Sequence, residues 1–251
     1  MNSLLSVKHI KTVRYISLKS DFIKRCLLRT QLRSLPCEKK WIPGVKYDAN
    51  NSIYDKYTKN GFESYLSEGW HPRRRGGVAG CWIAHSHALE SITDCDGISI
   101  ILEDDFVCKP GFFNKAIKML SEFEQEFDII IFDPSGTGPL QEHCISKDIY
   151  ANNGGVWPVY WGTHCLFINN KSISKIIDTK LNSQISDYDG YLLTNSKLKI
   201  YLFYSHMCTA NDFGSNINRS SPIFSILKYL FGIYNWLKCK KSKSSYMRRV
   251  Y

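Results

Sequence analysis

No stretch of this sequence is long and apolar enough to span a bilayer. The longest, Ile223 to Leu237, is interrupted by Lys228, and a transmembrane helix needs roughly 20 apolar residues. Met1 to Val7 hold no long apolar run and no small-residue cleavage site, which predicts no secretory signal peptide. The nine cysteines include no Cys-x-x-Cys pair, and no His/Cys set has zinc-finger spacing. Their odd number argues against a disulfide framework and for free thiols in a reducing cytosol, so a cytoplasmic location is expected. No internal repeat occurs, and the one biased segment is the tail. There, acids are missing altogether: Lys238 to Tyr251 carries six basic residues and no Asp or Glu.

That tail accounts for most of the charge. The chain has 33 Lys+Arg against 23 Asp+Glu, a net +10, and without the six tail charges the balance is +4. A local basic excess suits an anionic surface, membrane lipid or nucleic acid; the alternative is a solvated chain end. Just upstream, Ile223, Ile226, Leu227, Leu230, Phe231 and Tyr234 recur at helical spacing. Residues 221–251 therefore read either as an amphipathic helix and basic tail resting on a membrane surface, or as a helix packed on the domain.

The remainder, 8–220, suits one α/β domain. Strands are expected at Thr12 to Leu18, Ile98 to Leu102, Asp128 to Phe132, Leu166 to Ile168 and Lys199 to Phe203, with a short one between Pro36 and Pro43. Helices are expected at Phe22 to Leu32, Ala79 to Ile92, Phe112 to Phe127 and Ser172 to Asp178. Residues 48 to 77, with Trp70-His71-Pro72 and Arg73-Arg74-Arg75-Gly76-Gly77, read as a loop region. Alternating strands and helices imply a mostly parallel sheet flanked by helices.

The apolar Ile98 to Leu102 run ends in Glu103-Asp104-Asp105. In open α/β sheets ligands bind beyond the carboxyl ends of strands. Three adjacent carboxylates repel one another there, and a hard divalent cation such as Mn2+ or Mg2+ relieves the repulsion. In extended chain, residues 103 and 105 point the same way, so Glu103 and Asp105 are the expected pair of ligands. The alternative is an acidic corner or an N-cap cluster. Upstream, Gly80-Cys81-Trp82-Ile83-Ala84-His85 places His85 one helical turn after Cys81. Lys19, Arg25 and the Arg73 to Arg75 run are candidates for a diphosphate, because Arg matches phosphate oxygens in a bidentate way.

Together these blocks resemble glycosyltransferase family 25, which includes bacterial lipooligosaccharide galactosyltransferases and collagen galactosyltransferases. The similar segments, in the family's order, are Tyr15-Ile16-Ser17-Leu18-Lys19-Ser20-Asp21 followed by Lys24-Arg25, Gly77 to His85, Leu102-Glu103-Asp104-Asp105, Trp161-Gly162-Thr163-His164-Cys165-Leu166-Phe167-Ile168, Asp189-Gly190-Tyr191-Leu192 and Ser215-Asn216-Ile217. Val78 and Ala84 stand where the family has Glu and Ser. The resemblance implies a GT-A-like fold, Mn2+ or Mg2+ dependence, inversion, and a nucleotide-sugar donor, commonly UDP-galactose. It also implies a glycan or glycolipid acceptor, as in lipopolysaccharide assembly at the cytoplasmic face of an inner membrane.

On that reading Leu18, Lys19, Arg25, Glu103, Asp104, Asp105, Gly162 and Thr163 hold the donor. Glu103, Asp105 and the late His206 hold the metal. Asp189, Asp187 and His85 are the catalytic candidates, with Asp133 a further choice of base; the alternative for each Asp is a surface or capping role. Two other classes stay open: a nucleic-acid-binding, metal-dependent nuclease, and a non-catalytic sugar-binding relative. Against the nuclease, the basic excess sits in the tail and no basic residue interleaves with the acids, so nucleic acid is not an expected partner.

Overall fold

The computed structural model describes residues 9–45, 56–64, 72–94, 96–136, 143–152, 160–210 and Tyr234. The expected membrane-surface segment at 221–251 lies outside them apart from Tyr234, as do His71 and Ser215-Asn216-Ile217. Among the described residues no helix is long and apolar enough to cross a membrane.

The chain is α/β. One eight-stranded sheet carries, in spatial order, β2 (Glu38–Pro43), β1 (Ile10–Ser17), β3 (Ile98–Leu102), β10 (Cys165–Asn169), β5 (Ile129–Phe132), β11 (Ile200–Phe203), β8 (Ile149–Ala151) and β7 (Cys144–Ser146). β1 pairs in parallel with both β2 and β3, and β5 with β11. β10 runs antiparallel to β3 and β5, and β8 antiparallel to β11 and β7. Most strands thus share one direction, as the alternating pattern predicts, and β10 and β8 are reversed. Small accessory pairs join β4 (Phe106–Cys108) to β12 (Cys208–Ala210) and β6 (Ser135–Gly136) to β9 (Tyr160–Trp161).

The pleat divides the core into two layers. Ile16, Ile101, Ile129, Ile131, Leu166, Ile168 and Leu202 pack on one face against α2 (Pro72–Glu90), α4 (Ile173–Leu181) and α5 (Tyr188–Thr194). Val13, Tyr15, Ile98, Ile100, Leu102, Ile130, Phe132 and Phe203 point the other way, toward α1 (Phe22–Gln31) and α3 (Phe112–Ser121). Successive strand side chains alternate in direction, and with helices on both faces every residue of β3 is buried. That is why β3 reads as an unbroken apolar run instead of an alternating one.

The sequence misplaces one element. Residues 72–77 are not loop: α2 begins at Pro72 and runs through the arginines and Gly76-Gly77. Proline is tolerated in the first helical turn. Burial of Val78, Ala79, Trp82, Ile83, Ala88 and Leu89 in the core outweighs the poor helix propensity of the two glycines. Gly80 has its own reason to lack a side chain, because a Cβ there would collide with the Val45 carbonyl oxygen. The 144–151 hairpin and the short helix α5 also went unrecognised. Both are brief, and neither has a strong period of its own.

Candidate active site

The carboxyl ends of β1, β3, β5 and β11 share one edge of the sheet. β10 is reversed, so the segment preceding it, Gly162-Thr163-His164, reaches the same edge. β3 delivers the acidic triplet there, and the alternation of its side chains carries on past its end. Glu103 continues the Ile101 side and meets α2, whose His85 Nε2 lies 3.1 Å from Glu103 Oε1. Thr163 Oγ1 donates to the same oxygen at 2.5 Å, and the Glu103 amide donates to the His164 carbonyl at 3.1 Å. Asp104 continues the Leu102 side and meets α1, where Lys24 Nζ donates to Oδ1 at 3.3 Å and lies 3.5 Å from Asp21. The expectation that Asp104 turns away from Glu103 thus has a concrete form: the two acids address helices on opposite faces.

The three carboxyl groups differ electrostatically. Burial pushes Glu103 upward, but the bonds and charge from His85 and the Thr163 hydroxyl outweigh it and hold it below the usual carboxylate range. Burial pushes Asp104 up to about 6, with the Lys24 charge resisting. Asp105 lies well above the ordinary range because of burial and then the charges of Glu103 and Asp104. Its Oδ1 is buried and has no hydrogen-bond partner among the described residues. Removing such an atom from water without a partner is costly.

The opposite wall comes from α2 and α5. His85 is fully buried, and its ring stacks on Tyr188 with centroids 4.0 Å apart. Burial depresses its pKa against the opposing pull of Glu103, and its Nδ1 has no partner among the described residues. Asp189 lies in the first turn of α5, and its Oδ1 accepts the Gly190 amide at 3.0 Å. Burial raises its pKa, the Glu103 charge adds to the rise, and the Gly162 amide partly offsets it. Asp187 holds the N-cap position of α5 and adds negative potential at the Cys81 thiol. Gly162 has φ +107°, and a Cβ there would come within 3.2 Å of His164 Nδ1.

The fold therefore gathers Glu103, Asp104, Asp105, His85, Gly162, Thr163 and Asp189. Other expected residues are engaged elsewhere. His206, expected as a metal ligand, is exposed and places Nε2 3.4 Å from Asp148 at the β7–β8 turn. Asp133, with φ +47°, accepts from Ser205 Oγ and from the amides of His206, Met207 and Cys208, so its carboxylate caps that loop. The Arg25 guanidinium donates to the Leu18 and Lys19 carbonyls and sits 4.6 Å over the Trp41 ring, which fixes the loop after β1. Lys19 is exposed on that loop.

Sequence reasoning places Lys24 in the first similar segment but gives it no role. The available signal was its i,i+3 spacing from Asp21 on a helix that follows a strand at this edge. It also passed over His164, which is buried with neither ring nitrogen partnered among the described residues.

No family model matches the chain, and no curated protein matches it in sequence. Among solved structures it is similar to residues 1–349 of S. aureus TarS, at 11% identity and a TM-score of 0.40 over 90% of this chain and 72% of that one. It is also similar to the apo-form glycosyltransferase GlyE of Streptococcus pneumoniae TIGR4, at 11% identity and a TM-score of 0.36 over 92% of this chain and 62% of that one. A second GlyE structure gives 10% identity, a TM-score of 0.33, and 94% and 66% coverage. The chain thus spans under two thirds of both GlyE chains. Scores this low establish neither a shared fold nor a shared activity.

Proposed function

We propose that this chain is an inverting, metal-dependent glycosyltransferase with a GT-A-like site, moving a sugar from a nucleotide-sugar donor to a glycan or glycolipid acceptor. UDP-galactose is the donor that the resemblance to family 25 favours, and cell-surface glycan assembly is the context. The observation that carries the reading is the buried strand β3 ending in three carboxylates, of which, among the described residues, only Asp104 is contacted by a lysine and Asp105 Oδ1 is buried without a partner. Hard oxygen donors in that state fit Mn2+ or Mg2+, with Glu103 and Asp105 as the ligands. Bound there, a divalent ion supplies charge neutralisation for the leaving nucleoside diphosphate.

The chain's own residues do the rest. Thr163 and His85 hold the Glu103 carboxylate in one orientation. Lys24 fixes Asp104 and brings a positive charge to the same edge. Inversion requires a base that takes the acceptor hydroxyl proton on the face opposite the leaving group. Asp189 suits the role, because burial raises its pKa toward the range where a carboxylate is a useful base. Tyr188, itself buried, stacks on the His85 ring and fixes its orientation toward Glu103.

The test is to incubate the protein with Mn2+ and a panel of nucleotide sugars and to measure nucleoside diphosphate release. Release with one or two donors, lost on EDTA treatment and in Asp105→Asn, is expected. No release with any donor, together with tight salt-sensitive DNA binding, would sink the reading. An active Asp105→Asn enzyme would refute the metal ligand assignment.

A further inference from the structure

The ligand group that the fold assembles differs from the all-oxygen pair read from the triplet. Cys81 and His85 stand one turn apart on α2, so both side chains leave the same side of the helix. Glu103 meets them from the end of β3. One ligand atom each from Cys81, His85 and Glu103 lies within 4.8 Å of the others, and among the described residues neither Asp105 nor His206 belongs to that group.

Three further observations point to a cation. His85 is fully buried and presents its Nε2 to the Glu103 carboxylate. The Cys81 thiol lies in the negative field of Glu103, Asp189 and Asp187, with the buried Lys180 opposing it. Lys180 is itself bound to the Trp82 carbonyl and the Ser86 hydroxyl. Finally, Cys81 and Glu103 are only partly buried, so the group is not sealed from solvent. The 3.1 Å between His85 Nε2 and Glu103 Oε1 is no obstacle, since ligands roughly 2 Å from one tetrahedral ion lie about 3 to 3.5 Å apart.

We propose that Cys81, His85 and Glu103 form a binding site for one borderline divalent cation of the Zn2+ or Co2+ class, with an open fourth position. A thiolate and an imidazole select such ions over Mg2+ or Ca2+, which prefer oxygen alone. Binding deprotonates the thiol, so one proton leaves to solvent for each ion bound. The inference shares the Glu103 carboxylate with the Mn2+ reading, so the two ions compete for it, but the thiolate-bound ion is detectable whether or not the chain moves a sugar.

The experiment uses the full-length, EDTA-treated protein and adds Co2+ in steps. One equivalent is expected to bind, with intense visible absorption of a tetrahedral ion and thiolate-to-cobalt charge transfer in the near ultraviolet. Zn2+ should displace it and abolish both. Cys81→Ser should lose the charge-transfer band and weaken binding by more than about tenfold, since even outer-shell partners are worth roughly 10–100-fold. Cys81→Ala, smaller and without a hydroxyl, guards against an effect of the serine, and circular dichroism of both variants checks the fold. A charge-transfer band that persists in both folded variants would overturn the proposal, since the thiolate then comes from another cysteine. Binding with no such band in the unaltered protein, or no binding of Co2+ or Zn2+, would overturn it too. Nucleoside diphosphate release with Mn2+ is scored separately, so failure here leaves the transferase reading standing.

Discussion

Asp104 makes the metal-free protein pH-sensitive in a calculable way. Its carboxyl rises from the ordinary 3.8 to about 6, chiefly by burial against the pull of Lys24. Because the folded state holds this proton more tightly than the unfolded chain, the group contributes stability below its unfolded pKa. That contribution is lost as pH rises through the folded pKa. A rise from 3.8 to about 6 corresponds to ~3 kcal/mol at 1.36 kcal/mol per pKa unit.

Asp104→Asn removes the titrating group and nearly preserves its shape. Asn loses part of the Lys24 interaction at every pH, so the informative quantity is how the gap between the two proteins changes. Urea denaturation of both EDTA-treated proteins at about pH 4 and about pH 8 should show the gap moving in favour of Asn by ~2.4 kcal/mol at the higher pH, because part of the full difference is already lost at pH 4. Relief of Asp105, whose carboxyl Asp104 also pushes upward, adds a change of the same sign. An unchanged gap between the two pH values would refute the claim that the Asp104 charge is disfavoured in the fold.

Other outcomes follow from the same geometry. Asp189→Asn should lower kcat by roughly 10²–10⁴ with little change in donor KM, measured by steady-state nucleoside diphosphate release; a variant with unchanged kcat removes Asp189 as the base. Lys24→Met strips a buried amine from between Asp21 and Asp104 and should cost ~3–5 kcal/mol at neutral pH; an unchanged denaturation midpoint contradicts the buried pairing. Thr163→Val deletes a hydroxyl bound to a carboxylate at 2.5 Å, with an expected loss of ~1.5–3 kcal/mol by urea denaturation. Gly80→Ala forces a Cβ onto the Val45 carbonyl and should destabilise by ~1–3 kcal/mol, whereas ordinary helix propensity alone predicts the opposite sign.

Locally driven features were legible in advance. The Ile98 to Leu102 strand was bounded correctly because a doubly covered strand must be apolar throughout, and the helix opening at Phe22 follows a plain amphipathic period. Residues 72–77 differ from their local pattern because their glycines and arginines describe a loop, while burial of the residues after them makes a helix. The reversal of β10 has no local signature at all. Strand direction is set by which neighbour a segment pairs with, and Leu166 to Ile168 would look the same either way round.

By itself the sequence determined that three carboxylates follow a buried strand, because side-chain chemistry and apolar runs are properties of contiguous residues. Only the tertiary structure decided their partners. The alternation of β3 turns Glu103 toward His85 on α2 and Asp104 toward Lys24 on α1, and reversed β10 carries Thr163 to the same edge. Those partners lie between 18 and 80 residues away in the chain. Nothing in a contiguous segment can specify a contact over such separations, because it is the layering of helices on the two faces of one sheet that creates it.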